Sequence, residues 1–406
     1  MKKHDSLKDL LIGIVGKPNT GKSTFFNAVT MSSVPVANYP FTTIDAHVGI
    51  AYVKKRCVCR EFNVKDNPKN SQCIEGYRFI PFKIVDTAGL VPEAWKGRGL
   101  GNQFLDKISR ADALIHVIDA SGSTDEEGNV LKPGQHDPLK DIKFLEEELA
   151  KWFEGLILRD WDKILVKCKT LRQPIYLGLY EKLCGLNFNK HQIKEAIENI
   201  GRDPHDPKAL SREEVSIFVQ SLLRLSRPVI IAGNKAECEV AVENIERIKE
   251  EGFDVIPTSA LSELILRKAA EKGIVKYIPG ENEFQIIDEV RATKDQLKGL
   301  RRIEEDVLKR WGNTGVQQVI NHIVLDVLKW VVVYPVRDPE RLTDSDGNVL
   351  PDVFLIPPNS TGKELAGRIH SELAGRISYL IDIRRKVRRS VDYILRDNDV
   401  ISIVTS

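Results

Sequence analysis

One segment of this chain leaves little freedom in what surrounds it. Gly16-Lys17-Pro18-Asn19-Thr20-Gly21-Lys22-Ser23 fits the spacing G-x-x-x-x-G-K-[ST]. The pattern works in one setting. A buried strand must deliver the chain to the first glycine, and a helix must start at the lysine. Both flanks comply: Leu10 to Val15 is a short apolar run, and Lys22 to Met31 can form a helix. The glycines let the backbone curl until its N–H groups converge on a phosphate. The helix adds its positive N-terminus. Lys22 places an ammonium near the β and γ oxygens, and the Ser23 hydroxyl is suited to Mg²⁺. The segment therefore predicts a P-loop, with Asn19, Thr20, Gly21, Lys22, Ser23 and Thr24 around a nucleoside triphosphate.

The rest of the chain supplies the matching architecture. Phe79–Val85, Ala113–Ile118, Pro228–Ala232 and Phe253–Ile256 are further apolar strand candidates. Leu100, Phe104, Leu105 and Ile108 repeat at helical spacing. Such alternation predicts an α/β fold with a mostly parallel sheet covered on both faces. From Ser121 to Ser226 the period is helical throughout. Ile142, Leu145, Leu149, Trp152 and Phe153 share one stripe; Ile193, Ala196, Ile197 and Ile200 share a second. Val215, Phe218, Val219, Leu222 and Leu223 share a third. After residue 329 a mixed pattern follows: strands Trp330–Tyr334, Val353–Ile356 and Val400–Val404 around a helix Gly362–Leu373. The expected domains are 1–121 with 227–329, a helical insertion 122–226, and a small α+β domain 330–406. A chain of 406 residues accommodates that number.

Other motifs fall where a nucleotide would need them. Asp86-Thr87-Ala88-Gly89 follows a strand, at the ligand crevice of an open α/β sheet. There Asp86 can hold Mg²⁺ through water, and the Gly89 N–H can meet the γ-phosphate. Thr43, in Asn38-Tyr39-Pro40-Phe41-Thr42-Thr43, lies between the two motifs and can close the metal shell only while the γ-phosphate is present. Asn234-Lys235-Ala236-Glu237 follows the strand from Pro228, at the place where Asn-Lys-x-Asp reads guanine. Glu237 is one methylene longer than that aspartate. Ser259, Ala260 and Leu261 follow the next strand and can give a backbone N–H to the base oxygen.

These residues together resemble an Obg-type GTPase, and specifically the YchF group with its archaeal and fungal relatives. Gly16–Thr24 is similar to that family's P-loop, Asn38–Thr43 to its switch, and Asp86–Leu105 (DTAGLVPEAWKGRGLGNQFL) to its D-x-x-G region. Asp137–Leu149 resembles the start of its helical insertion. Ile369-His370 and Leu395–Val400 resemble its C-terminal TGS domain, a β-grasp module. The resemblance implies Mg²⁺ on Ser23 and Thr43, phosphates on Asn19–Thr24 and Gly89, and the base on Asn234, Lys235, Glu237 and Ser259–Leu261. It implies GTP as the nucleotide, with ATP the alternative used by some members, and an interaction with RNA or the ribosome. A second alternative is a nucleotide-sensing RNA-binding module that hydrolyses only with a partner.

Several features bear on rate and partners. Many GTPases orient the attacking water with a glutamine just after D-x-x-G. Leu90 stands there, so hydrolysis is expected to be slow. Asn19 matches an asparagine that helps bind K⁺ in some relatives. His136, on the loop into the insertion, could approach the γ-phosphate, although such histidines are more often idle. Cys57, Cys59 and Cys73 form an incomplete metal pattern, C-x-C-x13-C, which Asp66 could complete; free thiols are the favoured reading. Arg384–Arg389 is the densest basic run and could touch RNA phosphates. The net charge of +2 is too small to point to any class of partner, so attraction to nucleic acid would need a local patch. The polar start MKKHDSLKDL and the lack of a spanning apolar run predict a cytoplasmic protein with no membrane partner. No DNA partner is expected, and a monomer is.

Overall fold

The computed structural model describes residues 9–30, 48–87, 89–90, 92–93, 95 and 108–405. The switch segment with Thr43, the glycine-rich 97–102, and Leu100, Phe104 and Leu105 lie outside the described residues.

Strand β1 (Leu11–Val15) runs through the middle of a seven-stranded sheet and ends in the P-loop, from which helix α1 (Lys22–Thr30) departs. The sheet also holds β2 (Val48–Arg56), β3 (Gln72–Ile74), β4 (Tyr77–Asp86), β5 (Ala113–Asp119), β6 (Val229–Asn234) and β7 (Val255–Pro257). The order is β2-β4-β1-β5-β6-β7, with β3 paired to β4. The pairs β4·β1, β1·β5, β5·β6 and β6·β7 are parallel. All seven residues of β5 are buried, as a strand covered on both faces requires.

The edge strand β2 is not among the strands that the sequence pattern marks. It pairs antiparallel with β4 along its whole length, from Val48 against Val85 to Arg56 against Tyr77. Its sequence, VGIAYVKKR, hides this with a glycine and a basic end. Those lysines find carboxylates across the fold, Lys54 in Glu281 and Lys55 in Asp397.

Five helices follow β5: α2 (Pro138–Leu158), α3 (Trp161–Thr170), α4 (Ile175–Leu183), α5 (Lys190–Asn199) and α6 (Val215–Ser226). They close around Phe153, Trp161, Leu179, Ile193, Ile197 and Phe218. The single stripe on α2 serves three cores. Ile142 packs with Ile118 and Ile245, Leu145 and Leu149 with Leu90 and Ile108, and Phe153 with the helices. Helix α2 thereby fixes the helical layer to the sheet.

Beyond β6, helix α7 (Val240–Glu250) precedes β7, and α8 (Ala260–Glu271) follows it. A short antiparallel pair, Val275–Lys276 with Gln285–Ile286, and helices including α9 (Lys294–Ile303) and α10 (Val316–Asn321) lead to the C-terminal sheet. That sheet is β11-β10-β14-β12-β13, made of β10 (Val331–Val336), β11 (Phe354–Ile356), β12 (Ile377–Asp382), β13 (Val387–Arg389) and β14 (Asp399–Thr405). Parallel β10·β14 lies at its centre with antiparallel neighbours, and α11 (Gly362–Ile369) crosses between β11 and β12: this is a β-grasp order. The expected helix to Leu373 stops at Ile369, because His370 turns to an extended backbone. A capping box of Thr361 and Glu364 fixes its start.

Candidate nucleotide-binding site

The P-loop geometry follows from its glycines. Gly16 has φ +146°, and a Cβ there would strike the Val117 carbonyl. Gly21 has φ +95°, and a Cβ would strike the Asn234 amide. Both positions exclude other residues, on space and on backbone angle alike. Asn19 also takes a left-handed angle, φ 62°, and its Nδ2 donates to the Gly128 carbonyl at 2.9 Å.

The loop after β1 and the carboxyl end of β6 open onto a cavity of about 410 Å³. Asn19, Gly21, Lys22, Ser23 and Thr24 line one end; Asn234, Lys235, Glu237 and Leu261 line the other. A larger cleft, about 620 Å³, lies along β2 and residues 313–326, but it holds none of these motifs. Thr20 is buried behind the loop, its Oγ1 donating to the Lys17 carbonyl at 3.2 Å.

Lys22 is buried, and its Nζ donates to the Lys17 carbonyl at 2.6 Å. Burial pulls its pKa down to about 8, with the charge of Asp86 opposing. The ammonium is held in a low-dielectric site where an anion would be welcome. Ser23 Oγ donates to Asp86 Oδ2 at 3.2 Å, so a hydroxyl and a carboxylate from two motifs meet at one point. Gly89 lies against Pro18 of the P-loop, where a Cβ would come within 2.7 Å of the proline ring. Leu90 faces the other way. It is 2% exposed and packs with Ile108, Leu145 and Leu149.

At the far end, Asn234 ties three segments together. Its Nδ2 donates to the Thr20 carbonyl at 2.7 Å, and its Oδ1 accepts from the Ala260 N–H at 3.0 Å. Lys235, at φ 63°, donates to Asp119 Oδ2 at 2.9 Å. Glu237 has one oxygen, Oε2, buried with no hydrogen-bond partner among the described residues. Two of the three residues expected at a base oxygen are committed elsewhere. The Ser259 N–H donates to the Thr314 carbonyl, and the Ala260 N–H to Asn234. That leaves Leu261, at the second position of α8, where the helical ladder offers no acceptor.

Sequence reasoning missed several neighbours. Asp119, fully buried at the end of β5, accepts from Ser121, Ser123, Thr124 and Lys235. An aspartate at that strand end is the signal that could have found it. Lys17 Nζ donates to the Thr124 carbonyl at 2.8 Å and pairs with Asp141 of α2 at 2.8 Å. His136 bonds the same carboxylate at 2.8 Å, so it is a strut of the P-loop wall and is not turned toward the phosphate end.

Comparison with known proteins agrees with this geometry. Residues 11–152 match a family model described as a 50S ribosome-binding GTPase, and residues 232–338 match one described as an Obg-like GTPase YGR210-like, G4 motif-containing domain. The uncharacterized GTP-binding protein MJ1332 of Methanocaldococcus jannaschii is 45% identical over 98% of this chain and 99% of its own length. The chain belongs to the YchF/Obg-like GTPase family. The ribosome-binding ATPase YchF of Bacillus subtilis is 31% identical over 74% of this chain and 76% of its own length. A crystal structure of a GTP-binding protein from Pyrococcus horikoshii shares 37% identity, with TM-score 0.77, over 98% of this chain and all of that one. The YchF/Obg-like family comprises P-loop proteins named both as GTPases and as ATPases, and the chain is a nucleotide-binding protein of that kind.

Proposed function

We propose that this family member binds GTP with Mg²⁺, hydrolyses it slowly, and works as a nucleotide-controlled switch. The observation that carries the guanine reading is Glu237: a carboxylate oxygen buried without a partner among the described residues, beside Asn234 and Lys235 in the cavity wall. A guanine offers N1–H and an exocyclic amine to such an acceptor, whereas the corresponding edge of adenine has no N1–H. Phosphates fall to the P-loop amides of Asn19–Thr24, to Lys22 and to the Gly89 N–H, and the base oxygen to the Leu261 N–H. Ser23, Asp86 (through water) and Thr43 would hold Mg²⁺, which when bound neutralises charge on the β and γ oxygens.

The slow rate rests on Leu90. Its side chain is buried in an apolar core and has no group to orient water. Asn19 would then help to seat K⁺ near the phosphates, where a cation substitutes for an arginine finger. Hydrolysis that runs at one rate in Na⁺ and K⁺ would remove that role.

Docking to the ribosome or RNA is the partner reading, supported by the name of the Bacillus relative. The basic run adds little, because it is largely spent internally. Arg385 and Arg389 pair with Asp382, and Arg384 with Glu61. A cytoplasmic location is consistent with the described residues, in which no helix is long and apolar enough to cross a membrane.

The test is calorimetric binding of GDP and ADP to nucleotide-free protein with Mg²⁺. GDP tighter by about tenfold (1.4 kcal/mol) is the expected result. ADP binding as well or better would turn the reading to ATP.

A further inference from the structure

Away from the nucleotide cavity, three sulfurs and a carboxylate converge. Cys57 and Cys59 sit on the turn after β2, Cys73 on β3, and Asp66 on the loop between. Their ligand atoms all lie within 4.8 Å of one another. Cys59 Sγ and Cys73 Sγ are 3.8 Å apart, and Cys57 Sγ is 3.3 Å from Asp66 Oδ2. Zn–S bonds of about 2.3 Å meeting at a tetrahedral angle put two sulfurs about 3.8 Å apart; a sulfur and an oxygen stand about 3.5 Å apart. These two distances are close to those of a tetrahedron's edges. The arrangement is far from a disulfide, whose sulfurs sit about 2.05 Å apart and which would leave the third cysteine over.

The surroundings suit a metal. The Cys59 N–H points at Cys57 Sγ at 3.5 Å. Arg78, fully buried, donates to Asp66 at 2.7 Å and to Ser71 Oγ at 2.9 Å, which orients the carboxylate and offsets negative charge. Three thiolates and one carboxylate match the donor set of zinc. All four positions come from protein, the mark of a structural site and not a catalytic one.

The location says what such a site would do. Residues 57–74 contain only a short turn and a three-residue strand, yet they carry the seam to the C-terminal sheet. The Asn67 N–H donates to the Val349 carbonyl at 3.0 Å and the Lys69 N–H to the Pro351 carbonyl at 2.7 Å. Asn70 exchanges two bonds with Val353, at 2.9 and 3.0 Å. Lys69 pairs with Asp344 at 2.7 Å.

We propose that Cys57, Cys59, Cys73 and Asp66 form a structural Zn²⁺ site that clasps the edge of the nucleotide-binding sheet to the β-grasp sheet. Full-length protein purified without chelator should hold one zinc per chain by elemental analysis. Exchange with Co²⁺ should give tetrahedral ligand-field bands and thiolate charge-transfer absorption. Cys59→Ser and Cys73→Ser should each lower bound zinc at least about tenfold, and Asp66→Asn should weaken it; the exposed Cys184→Ser should keep it. Should the cysteine variants misfold, the wild type decides: chelator should lower its melting temperature, and zinc should restore it. Metal-free wild type without a Co²⁺ spectrum overturns the proposal. So does iron in place of zinc, a disulfide seen as two hydrogens lost in the intact mass, or full zinc retention in folded Cys73→Ser.

Discussion

Two buried cations in this chain are handled in opposite ways. Arg78, in the seam, has its charge consumed. It donates to Asp66, to Ser71 and to the Leu350 carbonyl at 3.1 Å, and it lies over the Tyr334 ring at 5.5 Å. Lys22, in the P-loop, has among the described residues one hydrogen bond, to a neutral carbonyl of its own loop, and burial lowers its pKa to about 8 against the opposing charge of Asp86. A buried charge met by a carboxylate and two further acceptors serves the fold, even though the Arg78 Nε itself has no partner among the described residues. One left under-compensated in a cavity raises the free energy of the empty protein, and an arriving anion recovers that cost. The difference separates residues that build the molecule from those proposed to take a ligand.

The sharpest way to break the contrast is to remove each cation. Arg78→Met strands the Asp66 carboxylate in the seam and should destabilise the protein by about 3–5 kcal/mol in denaturant unfolding. Lys22→Met should do the reverse. Stability should hold or rise, while nucleotide affinity measured by calorimetry drops about a hundredfold, near 2.7 kcal/mol. If Lys22→Met destabilises as much as Arg78→Met, Lys22 is a structural residue and the distinction fails.

A smaller effect tests the other end of the cavity. Glu237 should count only when guanine is present. Glu237→Ala should weaken GDP binding about tenfold or more and leave ADP binding nearly unchanged, since a site left without its acceptor strands the guanine N–H groups. Equal losses for both nucleotides would move Glu237 from base reading to wall building.

The same contrast explains what could be read in the sequence. Residues proposed to serve a ligand cluster in short motifs with fixed spacing, so Gly16–Thr24, Asp86 and Asn234–Glu237 stand out in the sequence, as do the buried parallel strands with their continuous apolar runs. Residues that serve the fold meet partners far along the chain. Lys17 finds Asp141, and Asp119 finds Lys235, more than a hundred residues away. No local pattern announces such pairs. The edge strand β2 escaped for a related reason: its basic end makes sense only beside Glu281 and Asp397. Strand β13 escaped because Arg384–Arg389 reads as a charge run, whereas the fold bends it through Lys386, at φ 53°, and returns its arginines to Asp382.

The smallest predicted effect is a fraction of a proton. With a pKa near 8, Lys22 in the empty protein is charged at pH 7 and about half neutral at pH 8. Phosphates at the cavity favour the ammonium and raise that pKa. Nucleotide binding should therefore take up about a tenth of a proton at pH 7 and up to about half a proton at pH 8. Calorimetry in two buffers of different ionisation enthalpy measures this directly, and Lys22→Met should abolish it. The stability of the empty protein follows the opposite sign. Between the folded pKa near 8 and the unfolded value of 10.5, the unfolded chain binds more protons at this residue, so its contribution to stability rises as pH climbs through that window. Arg78 stays charged throughout and should add nothing to either curve. Proton uptake that persists in Lys22→Met would mean that some other group in the cavity is the one held short of its charge.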